Sequence, residues 1–298
     1  MILREALIGA RERLRAAGSD EADIEAEVLL RFALDLDRTS FLRLLNEPIS
    51  SAEAQAYERA LYRRFQGEPT AYITGTREFH GLDFKVTPSV LIPRPETEML
   101  VEAVVVWVSN RLARQESPAA VRAEAVEGRT SSLRIADIGT GSGAIAVSIA
   151  KTVPDAEVYA TDLSPDALAV ARENARTHSV EQRISFRHGD LLEPLDTRVD
   201  VIVANLPYVT EGDWRALPRE IRDHEPCLAL ASGDDGLDAI RALLQQAPHY
   251  LKPGGVVFLE FGIGQDDAIQ KAARQCFPGA AIESRADFSG IPRMLVIG

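Results

Sequence analysis

Along residues 1–66 the apolar positions recur every three or four residues, the spacing that lines one face of a helix. Leu3, Leu7, Ala10 and Leu14 make the first stripe. Ile24, Val28, Leu29 and Phe32 make the second, with Ser19 or Asp20 as its N-cap. A short helical start follows at Asp37–Phe41. Ser51 then caps a helix through Ala56, Ala60, Leu61 and Phe65, which Gly67 stops. The pattern predicts a small helical bundle over residues 1–75. Across 76–96 strand-like fragments alternate with Gly and Pro, which predicts a linking hairpin near Arg77–Val86. Pro93 and Pro95 stiffen the turn before a helix at about Thr97–Leu112. Residues 115–132 have little periodicity and read as a surface loop.

From Leu133 onward the period changes. Short apolar runs at 133–139, Glu157–Thr161, Ile184–His188, Val199–Ala204, Val256–Phe261 and Met294–Ile297 read as strands. Residues 144–153, 165–178 and Gly236–Ala247 read as helices. Strands alternating with helices of ten to fifteen residues predict an α/β domain over 97–298, with a mostly parallel sheet covered on both faces.

Composition adds exclusions. A length of 298 residues suits two domains. The only cysteines, Cys227 and Cys276, make no disulfide framework, as expected of a reducing compartment. No apolar run is long enough to span a bilayer, and the N-terminus reads as an amphipathic helix rather than a signal peptide, so a cytoplasmic, membrane-free protein is expected. The net charge of -12, from 33 basic and 45 acidic residues, weighs against a partner gripped through its phosphates. The five histidines show no ligand spacing, so no metal is expected.

Two motifs carry chemistry. Gly139, Thr140, Gly141, Ser142 and Gly143 lie between a strand and a helix. Glycines there allow a tight turn and close approach of a ligand, and the helix start supplies donors. No Gly-Lys-Ser/Thr follows, so this is not a P-loop. Asp162 ends the next strand and can accept from both ribose hydroxyls. Asp190 and Leu191 end the third, where a base would sit. The set fits a dinucleotide or S-adenosylmethionine. Asp137, just ahead of the glycines, favours the latter because it would repel pyrophosphate but can accept from an ammonium. The second motif, Asn205, Leu206, Pro207 and Tyr208, ends the fourth strand. The Asn205 side-chain oxygen and the Leu206 carbonyl can receive the two hydrogens of a planar NH2 group. Pro207 stiffens the turn, and Tyr208 offers a flat wall. That arrangement suits in-line methylation of an amide or aromatic amine, driven by positioning rather than by a strong base.

These residues resemble the class I S-adenosylmethionine-dependent methyltransferases. Within them they are similar to the protein-(glutamine-N5) methyltransferases that modify peptide chain release factors. The likeness covers nearly the whole chain. Val90–Glu98, Glu225-Pro226, Gly233–Leu237, Leu251–Gly255, Glu260 with Gly262 and Gln265, and Asp287–Arg293 match in order. The resemblance implies a seven-stranded Rossmann-like sheet with a reversed last hairpin, behind an N-terminal helical domain that recognises the substrate. It implies S-adenosyl-L-methionine held by Gly139–Gly143, Asp162, Asp190, Leu191 and Asn205. It also implies a protein substrate, the glutamine of the Gly-Gly-Gln loop in class I release factors. Asn205, Leu206, Pro207 and Tyr208 would hold and methylate it, and Arg94 and Glu96 would orient the incoming loop. A monomer without a stable nucleic-acid partner is expected. Leu206 departs from the family's usual Asn-Pro-Pro-Tyr. Asn-Leu-Pro-Tyr also resembles the motif of ribosomal RNA adenine dimethyltransferases, which keeps an N6-adenine methyltransferase acting on RNA or DNA open as the alternative.

Overall fold

The computed structural model describes residues 1–115 and 132–298, so nearly all of the loop expected at 115–132 lies outside the described residues. The chain divides into two compact units. One is Met1–Thr76 together with Pro218–His224; the other is Arg77–Leu217 with Glu225–Gly298. The hairpin expected as a separate link therefore belongs, from Arg77, to the larger unit.

The smaller unit is built from α1 (Leu3–Ala16), α2 (Ala22–Leu34), α3 (Arg38–Arg43), α4 (Ser51–Phe65) and α5 (Thr70–Thr74). The first stripe is buried as its spacing requires. The second is not: Ile24 and Phe32 are exposed, and α2 turns Ala22, Glu25, Ala26, Leu29 and Leu30 inward. The reason is a paired carboxylate, which hydropathy does not register. Glu25 accepts from Arg64 Nε at 2.7 Å and from Ser19 Oγ at 2.8 Å, so it tolerates a core position. Ser19 is thereby drawn off capping, and Glu21 occupies the N-cap without a side-chain bond. The cap of α4 is Ser50, one residue before the expected Ser51, in a reciprocal box with Glu53.

The larger unit opens with a hairpin, β1 (Thr76–Phe79) and β2 (Leu82–Lys85), then α6 (Glu98–Gln115). The sheet follows: β3 (Arg134–Ile138), β4 (Glu157–Asp162), β5 (Ile184–His188), β6 (Val199–Ala204), β7 (Leu251–Glu260), β8 (Ile282–Ala286) and β9 (Pro292–Ile297). Its order is β5-β4-β3-β6-β7-β9-β8, with β9 antiparallel to both neighbours. The connecting helices are α7 (Ala144–Thr152), α8 (Pro165–Thr177), α9 (Glu211–Ala216), α10 (Arg219–Arg222), α11 (Asp238–Tyr250) and α12 (Asp266–Cys276), of which α10 groups with the smaller unit.

Successive strand residues face opposite sides, so Val201 and Val203 join one core while Ile202 and Ala204 join the other. α6, α7 and α8 cover the first face; α11 and α12 cover the second. β7 starts five residues before the expected Val256. Its Lys252–Gly255 stretch bulges, the register shifting opposite Val199–Val201. Gly255 is required there because a Cβ would lie 2.7 Å from the Asp200 carbonyl oxygen. This topology leaves the carboxyl ends of β3, β4, β5 and β6 on one edge, where open α/β sheets bind ligands.

Candidate active site

The turn after β3 is held from below. Gly139 and Thr140 amides both donate to the Thr161 carbonyl at 2.9 Å, tying it to the end of β4. Gly139, Gly141 and Gly143 all have positive φ. At Gly143 a Cβ would lie 3.1 Å from the Ala171 Cα, so α7 and α8 approach closely only over a glycine. At Gly141 nothing lies within 4 Å of that position, so its backbone is bare to the cavity.

Asp137 plays a different part from the expected one. It is fully buried beneath the turn and does not line the cavity. Its Oδ2 accepts from Thr140 Oγ1 at 2.6 Å and from the Ala146 amide at 3.0 Å, clamping the turn to the start of α7. The turn takes Oδ2, while Oδ1 is buried without a partner among the described residues. Burial pushes the Asp137 carboxyl up to about 7, against these two hydrogen bonds. Its folded-state value lies above the ordinary 3.8, so its contribution to stability is full below about pH 4 and is lost as pH rises through about 7. Asp137→Asn is expected to flatten the fall in urea midpoint between about pH 4 and about pH 7. An unchanged pH dependence in the variant would refute this assignment.

Asp162 lines the cavity. Its Oδ2 accepts from the Gly141 amide and its Oδ1 from the Ser164 amide, both at 2.8 Å. Each oxygen keeps a second lone pair for a ligand hydroxyl. Desolvation raises its pKa, opposed by those backbone bonds. Asp190 and Leu191 line the same cavity of about 240 Å³, with Thr140, Gly141 and Ser142. Leu191 has φ +47° and is pinned by Thr161 Oγ1, which donates to its carbonyl at 2.8 Å. Bare glycine backbone, a two-oxygen acceptor and a recess at the end of β5 are the groups an adenosyl amino acid needs.

Asn205, Leu206 and Pro207 line the same cavity. Asn205 Nδ2 donates to Thr97 Oγ1 at 2.9 Å. Leu206 is buried over Gly139, where a Cβ would meet its Cδ2 at 2.9 Å, so Leu206 and Gly139 pack as a pair. Tyr208 does not line the cavity. Its ring packs beside Gly262, its hydroxyl donates to Glu260 Oε1 at 3.2 Å, and its carbonyl accepts from Gln265 Nε2 at 2.8 Å. Tyr208 is thus fixed by Glu260, Gly262 and Gln265.

Arg94 reaches the cavity, but Glu96 does not. No ion pair joins them; Arg94 Nη2 pairs with buried Glu225 Oε1 at 2.5 Å, while Glu225 Oε2 accepts from the Ile92 amide at 3.2 Å. Glu96 instead borders a shallow depression beside Phe288. Phe79 lines the cavity and meets Phe84 edge-on at 6.0 Å. Three groups carry no local sequence signal of a role here: Thr97, Glu225 and Glu260. Each sits inside a motif segment, but its task depends on a residue far along the chain. Among the described residues, no cluster of His, Cys, Asp and Glu is placed to hold a metal, and no helix is long and apolar enough to cross a membrane.

Residues 5–75 match the family model described as the PrmC N-terminal domain, and residues 120–221 match the methyltransferase small domain. A protein of Moorella thermoacetica named release factor glutamine methyltransferase is 46% identical over 92% of this chain and 90% of its own length. Proteins of the same name from Geobacter sulfurreducens and Koribacter versatilis are 41% and 38% identical, covering 90% and 99% of this chain and 86% and 98% of theirs. Among solved structures, a methyltransferase from Pyrococcus furiosus superposes with a TM-score of 0.50 at 18% identity, over 73% of this chain and 89% of that one. That likeness shows the fold.

Proposed function

Because the chain belongs to the release factor glutamine methyltransferase family, we propose that it methylates the side-chain amide nitrogen of the glutamine in the Gly-Gly-Gln loop of class I release factors. The observation that carries this reading is the set of Asn205 contacts. Its NH2 is engaged by Thr97, while its oxygen takes no partner among the described residues. That oxygen and the Leu206 carbonyl are two acceptors on residues that line one cavity, matched to the two hydrogens of a primary amide.

S-adenosylmethionine, when bound, supplies an electrophilic methyl group on a positively charged sulfur. Gly139–Gly143, Asp162, Asp190 and Leu191 would hold it, the Asp162 carboxylate being suited to ribose hydroxyls. The residues of the chain then position rather than deprotonate. Accepting both amide hydrogens aims the nitrogen at the donor and stabilises the positive charge that grows on it. The surplus proton leaves to solvent after transfer, so no buried base is required. Arg94, fixed by Glu225, orients the loop that carries the glutamine. Helices of residues 1–75 grip the release factor away from its loop. The working state is a cytoplasmic monomer with no stable nucleic-acid partner.

The adenine alternative rested on Leu206. It is disfavoured by relatives that match 90% or more of this chain and carry the release-factor name. The test is incubation with labelled donor and a purified class I release factor, followed by mass spectrometry of the Gly-Gly-Gln peptide. One added methyl on that glutamine is expected. Methyl groups on adenine of ribosomal RNA, with none on the release factor, would overturn the assignment.

A further inference from the structure

An asparagine amide has two nearly isosteric orientations, with oxygen and NH2 exchanged. Only one serves the reaction proposed above: with its NH2 toward the target amide, Asn205 would set donor against donor. Something must choose. Nothing in the asparagine itself does so, and its partner Thr97 is a hydroxyl, which can donate or accept.

We propose that Glu260 and Thr97 form a hydrogen-bond relay that sets the amide polarity of Asn205, so that its oxygen faces the substrate amide; the inference rests on the glutamine-methylation reading. Thr97 ends the short 3-10 turn Pro95–Thr97 and is buried. Ala204 of β6 pairs in register with Leu259 of β7, which sets Asn205 and Glu260 side by side at the ends of adjacent parallel strands. Glu260 is 2% exposed. One of its oxygens accepts from the Tyr208 hydroxyl; the other is buried and outside ordinary hydrogen-bond geometry in this structure, and the neighbouring Thr97 hydroxyl is the donor that acts on the carboxylate. An ionised carboxylate only accepts. Facing one, the Thr97 hydroxyl turns its proton toward Glu260 and presents a lone pair to Asn205. Asn205 must then offer Thr97 its NH2, as observed at 2.9 Å.

Protonation reverses the relay. A neutral Glu260 donates to the Thr97 oxygen, which frees the threonine proton for Asn205. The amide then flips, and its NH2 faces the cavity. Burial pushes the Glu260 carboxyl up to about 7, opposed by the hydroxyls of Thr97 and Tyr208 and by the charge of Arg293, and aided by Glu96. Turnover at saturating donor therefore falls as pH drops through about 7, as the active orientation is lost.

Thr97 and Glu260 are positioning residues, and the test reads orientation rather than folding. Thr97→Val, which keeps the shape and removes the hydroxyl, is expected to lower kcat about 100-fold, with KM for the release factor and Kd for S-adenosylmethionine unchanged. Thr97→Ser restores the hydroxyl and should stay near wild-type. Glu260→Gln cannot titrate, so the acidic limb of its kcat profile should vanish. A Thr97→Val enzyme with wild-type kcat, or one that loses donor affinity in step with kcat, overturns the relay. So does an acidic limb that persists in Glu260→Gln. If the wild-type enzyme leaves the Gly-Gly-Gln glutamine unmodified, the functional reading fails and the relay with it. If the wild type methylates and the variants keep pace, only the relay fails.

Discussion

Asn205→Ala is expected to lower kcat by about 10²- to 10³-fold while leaving the Kd for S-adenosylmethionine within a few-fold. The asymmetry follows from where the side chain is held. Asn205 lines the same cavity as Asp162 and the glycine turn, but its side-chain NH2 is tied to Thr97 rather than to the turn. The donor's grip on Gly139–Gly143 and Asp162 survives the change. What is lost is one of two acceptors that hold the target amide and meet the charge growing on its nitrogen. An amide nitrogen is a weak nucleophile, so the reaction depends on that positioning. Kinetics with the release factor and calorimetry with the donor separate the two quantities. Equal loss of both would place Asn205 in donor binding instead.

Gly236→Ala, at a residue outside the reaction centre, should be nearly as damaging. Gly236 has φ +77°, a left-handed conformation that costs an alanine about 1–2 kcal/mol. A Cβ there would also lie 2.2 Å from the Tyr208 carbonyl oxygen and 2.7 Å from Gln265 Nε2, the group that donates to that carbonyl. Backbone must move, and the backbone in question carries Asn205–Tyr208. Adding about 1–3 kcal/mol for overpacking gives a loss of about 2–5 kcal/mol in unfolding free energy, together with loss of turnover. Denaturant unfolding and the methylation assay check both. A variant of wild-type stability would mean that the loop before α11 yields freely and does not brace the tetrapeptide.

These two residues show how differently the site reads from sequence. Asn205 is legible because its chemistry is intrinsic: an amide, a carbonyl and a proline after a buried strand suggest a receptor for a planar NH2. Gly236 is one glycine among 20 and owes its importance to a carbonyl 28 positions earlier in the chain. Tyr208 shows the same limit from the other side. An aromatic in a catalytic tetrapeptide reads as a wall for substrate, and nothing in its own neighbourhood shows that its hydroxyl is bonded to a buried carboxylate at the end of β7. Strands were the most legible elements, since β5 and β6 have the expected ends. β8 has a mostly half-exposed edge pattern with little alternation to read.

The sequence by itself determined the class of sheet, the positions of the glycine turn and the tetrapeptide, and the family. Periodicity, turn sterics and side-chain chemistry are properties of short stretches, and they survive without tertiary context. Tertiary structure alone decided which acids are internal and what each one holds. Glu25 is drawn inward by Arg64, 39 residues away, and Glu225 by Arg94, 131 residues away. Asn205 is oriented by Thr97 across 108 residues. A carboxylate or an amide carries no mark of its partner in its own neighbourhood. Burial makes the pairing obligatory, and burial is set only when distant segments close over the same site.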